Sequence, residues 1–284
     1  MARIIYVNGR YSSYSQASIH VEDRGFQFAD GVYEVCFIHD RKIVDLDGHL
    51  ERLERSLGEL RMAPPMSRSA LIHVMNETLR RNKICNGYTY LQVTRGSAPR
   101  AFSFPADGID SSLICMARTH DEKKNNARAK KGICALTVPD IRWARRDIKS
   151  ISLLPQMLAS QTALDQGCAE ALLVEEDGFI TEGSHSNAWM VDHDNRLLTR
   201  RADNSILRGR TREAVAATID ELGLKFEERA FSVDEVLAAK EVFVTSTTAL
   251  LMPVVQIDGK QIGNGVPGDI SHKLRQLICD AYGM

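Results

Sequence analysis

The sequence predicts a mixed α+β chain in two domains, a smaller N-terminal α+β domain and a larger C-terminal domain built on a mixed sheet. Three observations carry this. Short apolar runs broken by turn pairs such as Asn8-Gly9, Asp177-Gly178, Asp194-Asn195 and Asp258-Gly259 recur through both halves, the mark of strands and hairpins. Between them lie stretches with apolar residues at helical spacing, such as Leu50, Leu53, Leu57 and Leu60. A polar stretch poor in apolar residues, from His120 to Lys131, separates the halves. With 284 residues, 44% of them hydrophobic, the chain is long enough to bury a large core.

In order, residues 4–45 read as strands and turns. Met1 to Val7 is a strand ending at Asn8-Gly9, and Val35 to Ile38 and Lys42 to Val44 flank a turn at His39-Asp40-Arg41. Between these hairpins, Val21 to Glu34 mixes charges, aromatics and two glycines, which suits a loop feeding a site. Asp47 stands as N-cap of a helix that Pro64-Pro65 ends. A second helix runs from Ser67 or Ser69 to Arg81 with Leu71, Val74, Met75 and Leu79 inward. Tyr88 to Arg95 alternates as a strand, Gly96 to Arg100 breaks it, and Leu113 to Ala117 is a further strand. The first domain is then 1–119, the linker 120–131 and the second domain 132–284.

The second half opens with strand Ile133 to Val138. A helix from Pro155 to Gln166 has proline in its first turn and Gly167 after its end. Ala171 to Glu175 and Phe179 to Thr181 form a hairpin, as do Asn187 to Val191 and Arg196 to Thr199. Ser205 to Thr211 opens a helix ending at Leu222-Gly223. Ser232 with Glu235 fits a capping box. Val242 to Thr245 and Val254 to Ile257 are strands, and Ile270, Leu274, Leu277 and Ile278 mark a closing helix.

Composition excludes several classes. A net charge of −1 gives no attraction for nucleic acid or an anionic membrane. The N-terminus lacks the apolar core of a signal peptide, and no apolar run reaches the length of a membrane span. The six cysteines are scattered with no C-x-x-C pair, and read as small core residues in a reducing compartment. A soluble cytoplasmic protein is the expectation.

Four stretches can carry chemistry. Lys149 sits between Ile148 and Ile151 in Arg142 to Leu154, before an apolar run. A lysine carried into a partly apolar site loses hydration, and its neutral amine becomes available to form a Schiff base with an aldehyde. Taken alone, the stretch fits a surface lysine after a basic loop at least as well. Gly209-Arg210-Thr211 precedes a helix whose free N–H groups could take a phosphate, although Gly209 and Thr211 would serve equally as turn and cap. Thr245-Ser246-Thr247-Thr248 could offer hydroxyls to a second set of phosphate oxygens, or be an ordinary strand end. Glu182, in Glu182-Gly183-Ser184-His185-Ser186-Asn187, could accept a hydrogen bond from a ring N–H, or be an exposed loop glutamate. His185 has no second histidine or cysteine at metal-ligand spacing, so it reads as a loop histidine and no metal is expected.

In order along the chain, V-E-D-R-G-F-Q-F-A-D-G-V-Y-E (21–34), H-L-E-R-L (49–53), T-R-G-S-A-P-R (94–100), D-I-K-S (147–150), T-E-G-S (181–184), Leu207 to Thr211 and T-S-T-T (245–248) resemble the fold-type-IV pyridoxal-phosphate enzymes, most closely the D-amino-acid aminotransferases. The resemblance covers nearly the whole chain. It implies pyridoxal 5′-phosphate as cofactor, a cleft between two domains, and a homodimer acting on amino acids and 2-oxo acids. The expected reaction is of the D-alanine plus 2-oxoglutarate to pyruvate plus D-glutamate type.

Carried over residue by residue, the resemblance assigns Lys149 to hold the cofactor and shuttle the proton at the substrate α-carbon. Glu182 pairs with the pyridine N–H. Arg52, the backbone of Arg210 and Thr211, and the Thr247 hydroxyl hold the phosphate, with Leu207 and Ser246 beside them. Ser184, Ser186 and Asn187 line the cofactor edge or support Glu182. Tyr33 and Arg100 face the substrate carboxylate, arginine offering a bidentate fork, with Phe102 and Thr248 on the substrate side. Two positions depart from the pattern. Phe102 stands where D-amino-acid members carry histidine, and His185 where a small hydroxyl residue is common; both bear on substrate range. The alternatives are a branched-chain L-aminotransferase, an (R)-amine transaminase or an aminodeoxychorismate-type lyase of the same fold, and a non-catalytic cofactor carrier, which would need neither Lys149 nor Glu182.

Overall fold

In the computed structural model of the chain, residues 3–106 and 108–284 are described. Met1 and Ala2, part of the expected first strand, lie outside them. The chain divides into two compact units. One runs up to His120 and also takes Ile148–Ser152; the other takes Asp121–Asp147 and Leu153–Met284.

In the first unit, β1 (Ile4–Val7) and β2 (Arg10–Ser13) make the hairpin expected at Asn8-Gly9, both of which adopt left-handed backbone. There follow α1 (Arg24–Phe28), β3 (Gly31–His39), β4 (Lys42–Ile43), α2 (Leu46–Glu59), α3 (Arg68–Asn82), β5 (Gly87–Thr94) and β6 (Ser112–Thr119). The sheet order is β2-β1-β6-β5-β3-β4, and the pairings are antiparallel. Burial alternates along β5, as a strand with one face on a core requires. Leu91 and Val93 meet the α2 stripe of Leu50, Leu53 and Leu57 and the α3 residues Val74 and Met75 in one cluster.

Two expectations are corrected here. Val21 to Glu34 is not one irregular loop. It holds α1, capped by the Asp23 carboxylate accepting from Gly25 N–H and closed by Ala29 in left-handed backbone, and then the first four residues of β3. Its charges misled because their partners are distant in sequence: Arg95 shares the Asp30 carboxylate with Arg24. The N-cap of α2 is Asp45, not Asp47. Asp47 lies in the first turn, where it favours the helix dipole without capping, and the helix is over before Pro64-Pro65.

The second unit contains α4 (Glu122–Lys131), β7 (Ile133–Pro139), α5 (Leu154–Asp165), β8 (Glu170–Val174), β9 (Phe179–Gly183), β10 (Asn187–Val191), β11 (Arg196–Thr199), α6 (Arg210–Thr218), β12 (Lys225–Glu228), β13 (Phe231–Ser232), α7 (Val233–Leu237), β14 (Glu241–Ser246), β15 (Leu250–Ile257), β16 (Lys260–Gln261) and α8 (Asp269–Ala281). The sheet order is β12-β11-β10-β14-β15-β7-β8-β9-β13, with β16 on β15. It is mixed: β11/β12, β15/β7 and β7/β8 run parallel. Trp189 and Phe243 stack in a cluster with Leu274 and Ile278 of α8, and the capping box of α7 forms as expected.

The expected linker is mostly helix. Asp121 caps α4, and Ala129 packs into the core of the second unit. One buried alanine among charged residues is enough to dock a helix, but it leaves no apolar stripe to read.

The cysteine expectation also changes. Parallel pairing of β7 and β8 brings Cys134 against Cys168, 34 residues further on, and the two form a disulfide. A search for closely spaced cysteines cannot see a pair made by neighbouring strands. Cys36, Cys85, Cys115 and Cys279 are free. Among the described residues no helix is long and apolar enough to cross a membrane.

Unfolded under non-reducing conditions, the protein should therefore expose four titratable thiols, and six after reduction. Closing a loop of this length contributes about 3–4 kcal/mol, so C134S should lower the denaturation midpoint in the absence of reductant. Six thiols before reduction would contradict the pairing.

Candidate active site

The structure positions Lys149 through its backbone. Residues 149–151 run along the start of β3, with Tyr33 N–H donating to the Lys149 carbonyl (3.0 Å), Ile151 N–H donating to the Gly31 carbonyl (3.0 Å), and a bridge between Val32 and Ser150. A Cβ at Gly31 would sit 2.6 Å from the Val93 carbonyl oxygen of β5 and 3.1 Å from Ile151 Cδ1, so a glycine suits this position. Ile148 fills the core beneath. Lys149 itself is half-buried, its amine 4.3 Å from the centre of the Tyr33 ring, which in turn stacks on Tyr90. Its N–H donates to Ser56 Oγ on α2 (3.4 Å).

One turn earlier on α2, Arg52 is buried. It donates through Nε and Nη2 to the two oxygens of Glu34 (2.7 and 2.8 Å), and His49 Nδ1 lies 2.7 Å from the same carboxylate. Burial works to raise the Glu34 carboxyl, but the Arg52 charge and the hydrogen bonds from Arg52 and His49 outweigh it and hold it at about 2. The first unit thus gathers Tyr33, Arg52 and Lys149 from three distant stretches.

Arg100 and Phe102 are not gathered with them. Among the described residues no hydrogen bond or ring contact joins either to Tyr33 or Lys149. Arg100 lies over the Phe28 ring, and Phe102, 90% exposed, touches the edge of Phe28. The loop after β5 thus places Arg100 and Phe102 against α1 in this unit.

In the second unit the centre is Glu182, a buried carboxylate at the end of β9. Arg142 Nη1 donates to it at 2.5 Å, Asn187 Nδ2 at 2.9 Å, and Leu207 N–H at 3.1 Å. Burial pushes its pKa up, against the lowering effects of Arg142 and the Leu207 amide. Every group facing it is a donor, so the carboxylate form alone satisfies the arrangement. Arg142 feels the same burial, yet Asp140 and Glu182 together hold its pKa above the usual arginine value. Asn187 also donates to the Leu207 carbonyl (2.8 Å), and a Cβ at Gly209 would meet its amide oxygen, so Glu182, Asn187, Leu207 and the start of α6 form one piece. Gly209 caps α6 without a side-chain bond, which leaves Arg210 and Thr211 in its first turn. Asn187 pairs with Thr245 across β10 and β14, so the half-buried Ser246, Thr247 and Thr248 continue from that edge.

Ser184 and Ser186 do not support Glu182. Their hydroxyls donate to Glu170 at 2.6 and 2.7 Å, because a turn closed by Gly183 N–H on the Ser186 carbonyl (2.7 Å) interrupts the strand there. His185 is an exposed loop residue, as expected, with Nδ1 2.9 Å from Ser184 Oγ.

Sequence reading missed Arg142, Glu34 and Glu170. Arg142 looked like one of several cations in a basic loop. The signal was its spacing two residues after Asp140, which lets one carboxylate orient it (2.7–2.9 Å) toward another.

Residues 31–257 match the class IV aminotransferases. Chains similar to this one include the D-alanine aminotransferase of Bacillus licheniformis, 39% identical with 96% of this chain and 95% of the relative covered, and that of Staphylococcus haemolyticus, 36% identical at the same coverage. Among solved structures, the T.th. branched-chain amino acid aminotransferase with pyridoxamine 5′-phosphate superposes with a TM-score of 0.91 at 26% identity, covering all of this chain and 95% of that one. The Escherichia coli branched-chain enzyme shares the fold, with a TM-score of 0.91 at 24% identity over 99% and 95%. The chain belongs to the class IV aminotransferases. As a member of that family it is a pyridoxal-phosphate-dependent aminotransferase of fold type IV. The donor set fits that cofactor: a buried carboxylate for a protonated ring nitrogen, the first turn of a helix and a row of hydroxyls for a phosphate, and a half-buried lysine for an aldehyde.

The Glu34 carboxyl gives a test by pH. Its depression from 4.5 to about 2 corresponds to about 3 kcal/mol of stability. The native pKa lies below the unfolded one, so this contribution is complete above about pH 5 and fades as pH falls toward 2. E34Q should therefore unfold at lower denaturant than wild type at pH 7, and the gap should narrow at pH 3. A gap that does not change with pH would refute the assignment.

Proposed function

We propose that this enzyme moves the amino group of D-amino acids to 2-oxo acids, in the manner of D-alanine plus 2-oxoglutarate giving pyruvate plus D-glutamate. The observation that carries the reading is that one unit holds a half-buried lysine on an aromatic face and the other a buried carboxylate hydrogen-bonded by donors. The choice of D-amino acids is supported by relatives named D-alanine aminotransferase at 34–39% identity over 96% of the chain, against 24–26% for the solved branched-chain enzymes above.

When bound, the cofactor supplies the electron sink that takes up and returns the amino group. Lys149 holds it and moves the proton at the substrate α-carbon. Glu182 keeps the proton on the ring nitrogen, and Arg142 and Asn187 keep Glu182 ionised and in place. Arg52, the N–H groups of Arg210 and Thr211, and the Thr247 hydroxyl bind the phosphate; Leu207 and Ser246 flank the cofactor. Ser184 and Ser186 shape its edge by bracing Glu170. Tyr33, Arg100, Phe102 and Thr248 face the substrate.

The proposal includes a homodimer. On the second unit α5 exposes Leu154, Met157, Leu158 and Leu164, with Ile141 and Trp143 also exposed, apolar side chains that a partner subunit could cover. The cytoplasmic location also remains part of the proposal. The Cys134–Cys168 pair weighs against it, since reducing compartments keep thiols free.

The test is the absorption spectrum of cofactor-loaded protein mixed anaerobically with D-alanine, L-alanine or D-glutamate. Loss of the bound-cofactor band with the D-amino acids alone, restored by 2-oxoglutarate, is expected. A response to L-alanine instead would sink the D-specific reading. K149A should lose turnover on the order of ten-thousand-fold.

A further inference from the structure

Arg275 is a buried cation. It lies on α8, is 9% exposed, and no carboxylate among the described residues pairs with it. Its Nη1 donates to the carbonyl oxygens of Ala249 (2.9 Å) and Leu251 (2.6 Å), and its Nη2 to Asn126 Oδ1 (2.7 Å). Burial lowers its pKa, and the neighbouring Cys279 thiol offsets this only in part. A desolvated guanidinium with neutral partners only is costly, so its presence calls for an anion that the chain itself does not provide.

Its acceptors identify where that anion binds. Ser246 pairs with Leu250 across β14 and β15, leaving Thr247, Thr248 and Ala249 as the turn. The turn is clamped from one side. Asn125 Nδ2 on α4 donates to the carbonyls of Thr248 and Ala249 (3.4 and 3.3 Å), Arg275 takes the Ala249 and Leu251 carbonyls, and Ala249 N–H donates to Ser246 Oγ (3.3 Å). Leu250 is held at φ 59°, a left-handed conformation that leucine rarely adopts without such restraint. With those carbonyls occupied, the turn is left with the half-buried hydroxyls of Ser246, Thr247 and Thr248 and an uncompensated positive charge behind them.

We propose that Arg275 is the positioning residue of an anion site at this turn, fixing its shape and supplying charge for a phosphate monoester dianion. The inference rests on the reading that assigns the turn to the cofactor phosphate. It adds where the charge comes from. Arg52, the other cation given that role, is already matched by Glu34, whereas Arg275 is not matched by any acid among the described residues.

The test uses full-length protein freed of cofactor and titrated, by quenching of its tryptophan fluorescence, with pyridoxal 5′-phosphate and separately with pyridoxal, which lacks the phosphate. R275M keeps the length of the side chain without its charge. It is expected to weaken pyridoxal 5′-phosphate binding by about tenfold or more while changing pyridoxal binding by no more than about twofold. Inorganic phosphate should raise the melting temperature of the wild type and not that of R275M. R275K keeps the charge and should retain the preference for the phosphorylated ligand to within about threefold of wild type, which decides the matter if R275M does not fold. Equal weakening of both ligands, no weakening of either, or loss of the preference in R275K would overturn the proposal. A wild type that binds pyridoxal as tightly as its phosphate would instead overturn the phosphate assignment of the turn itself.

Discussion

Two backbone hydrogen bonds, from Tyr33 N–H to the Lys149 carbonyl and from Ile151 N–H to the Gly31 carbonyl, fix the lysine proposed to carry the chemistry. They draw five residues of an otherwise C-terminal stretch into the N-terminal unit, and the chain returns at Leu153. The lysine is then held along a strand, its amine over an aromatic ring, instead of on a free loop. An amine placed this way spends no binding free energy on ordering itself when it meets an aldehyde. Gly31 leaves room for β5 and for Ile151 on either side, and Ile148 anchors the stretch in the core.

Each unit also holds buried charges, each oriented by a partner. Glu34 fixes the plane of Arg52, Asp140 aims Arg142 at Glu182, and Glu170 gathers the hydroxyls of Ser184 and Ser186. Buried pairs of this kind are weak sources of net stability but severe when halved, which ties each site residue to a specific neighbour. Arg275 departs from the pattern because its partners are neutral, and that makes it informative about what the site receives.

The fold was legible wherever periodicity was strong. The Asn8-Gly9 hairpin, the leucine stripe of α2, the hairpin of β10 and β11 and the capping box of α7 all followed from local chemistry. Helix α4 did not, because only Ala129 is buried and its charged surface reads as linker. The disulfide did not, because strand pairing across 34 residues brings the cysteines together. In the site, residue types and order pointed to Lys149, Glu182 and the helix start after Gly209. What they could not show was direction: the serines beside Glu182 turn to Glu170, and Arg100 and Phe102 fold onto Phe28. Partner choice there depends on how the turn after β9 and the loop after β5 fold, which residue types alone do not set.

The most direct test of the account is to load the protein with pyridoxal 5′-phosphate, reduce it with borohydride, digest it and locate the phosphopyridoxyl group by mass spectrometry. A single modified peptide carrying the group on Lys149 is the predicted result. A group on any other lysine, or no stable attachment, would contradict the placement of Lys149 at the centre of the chemistry.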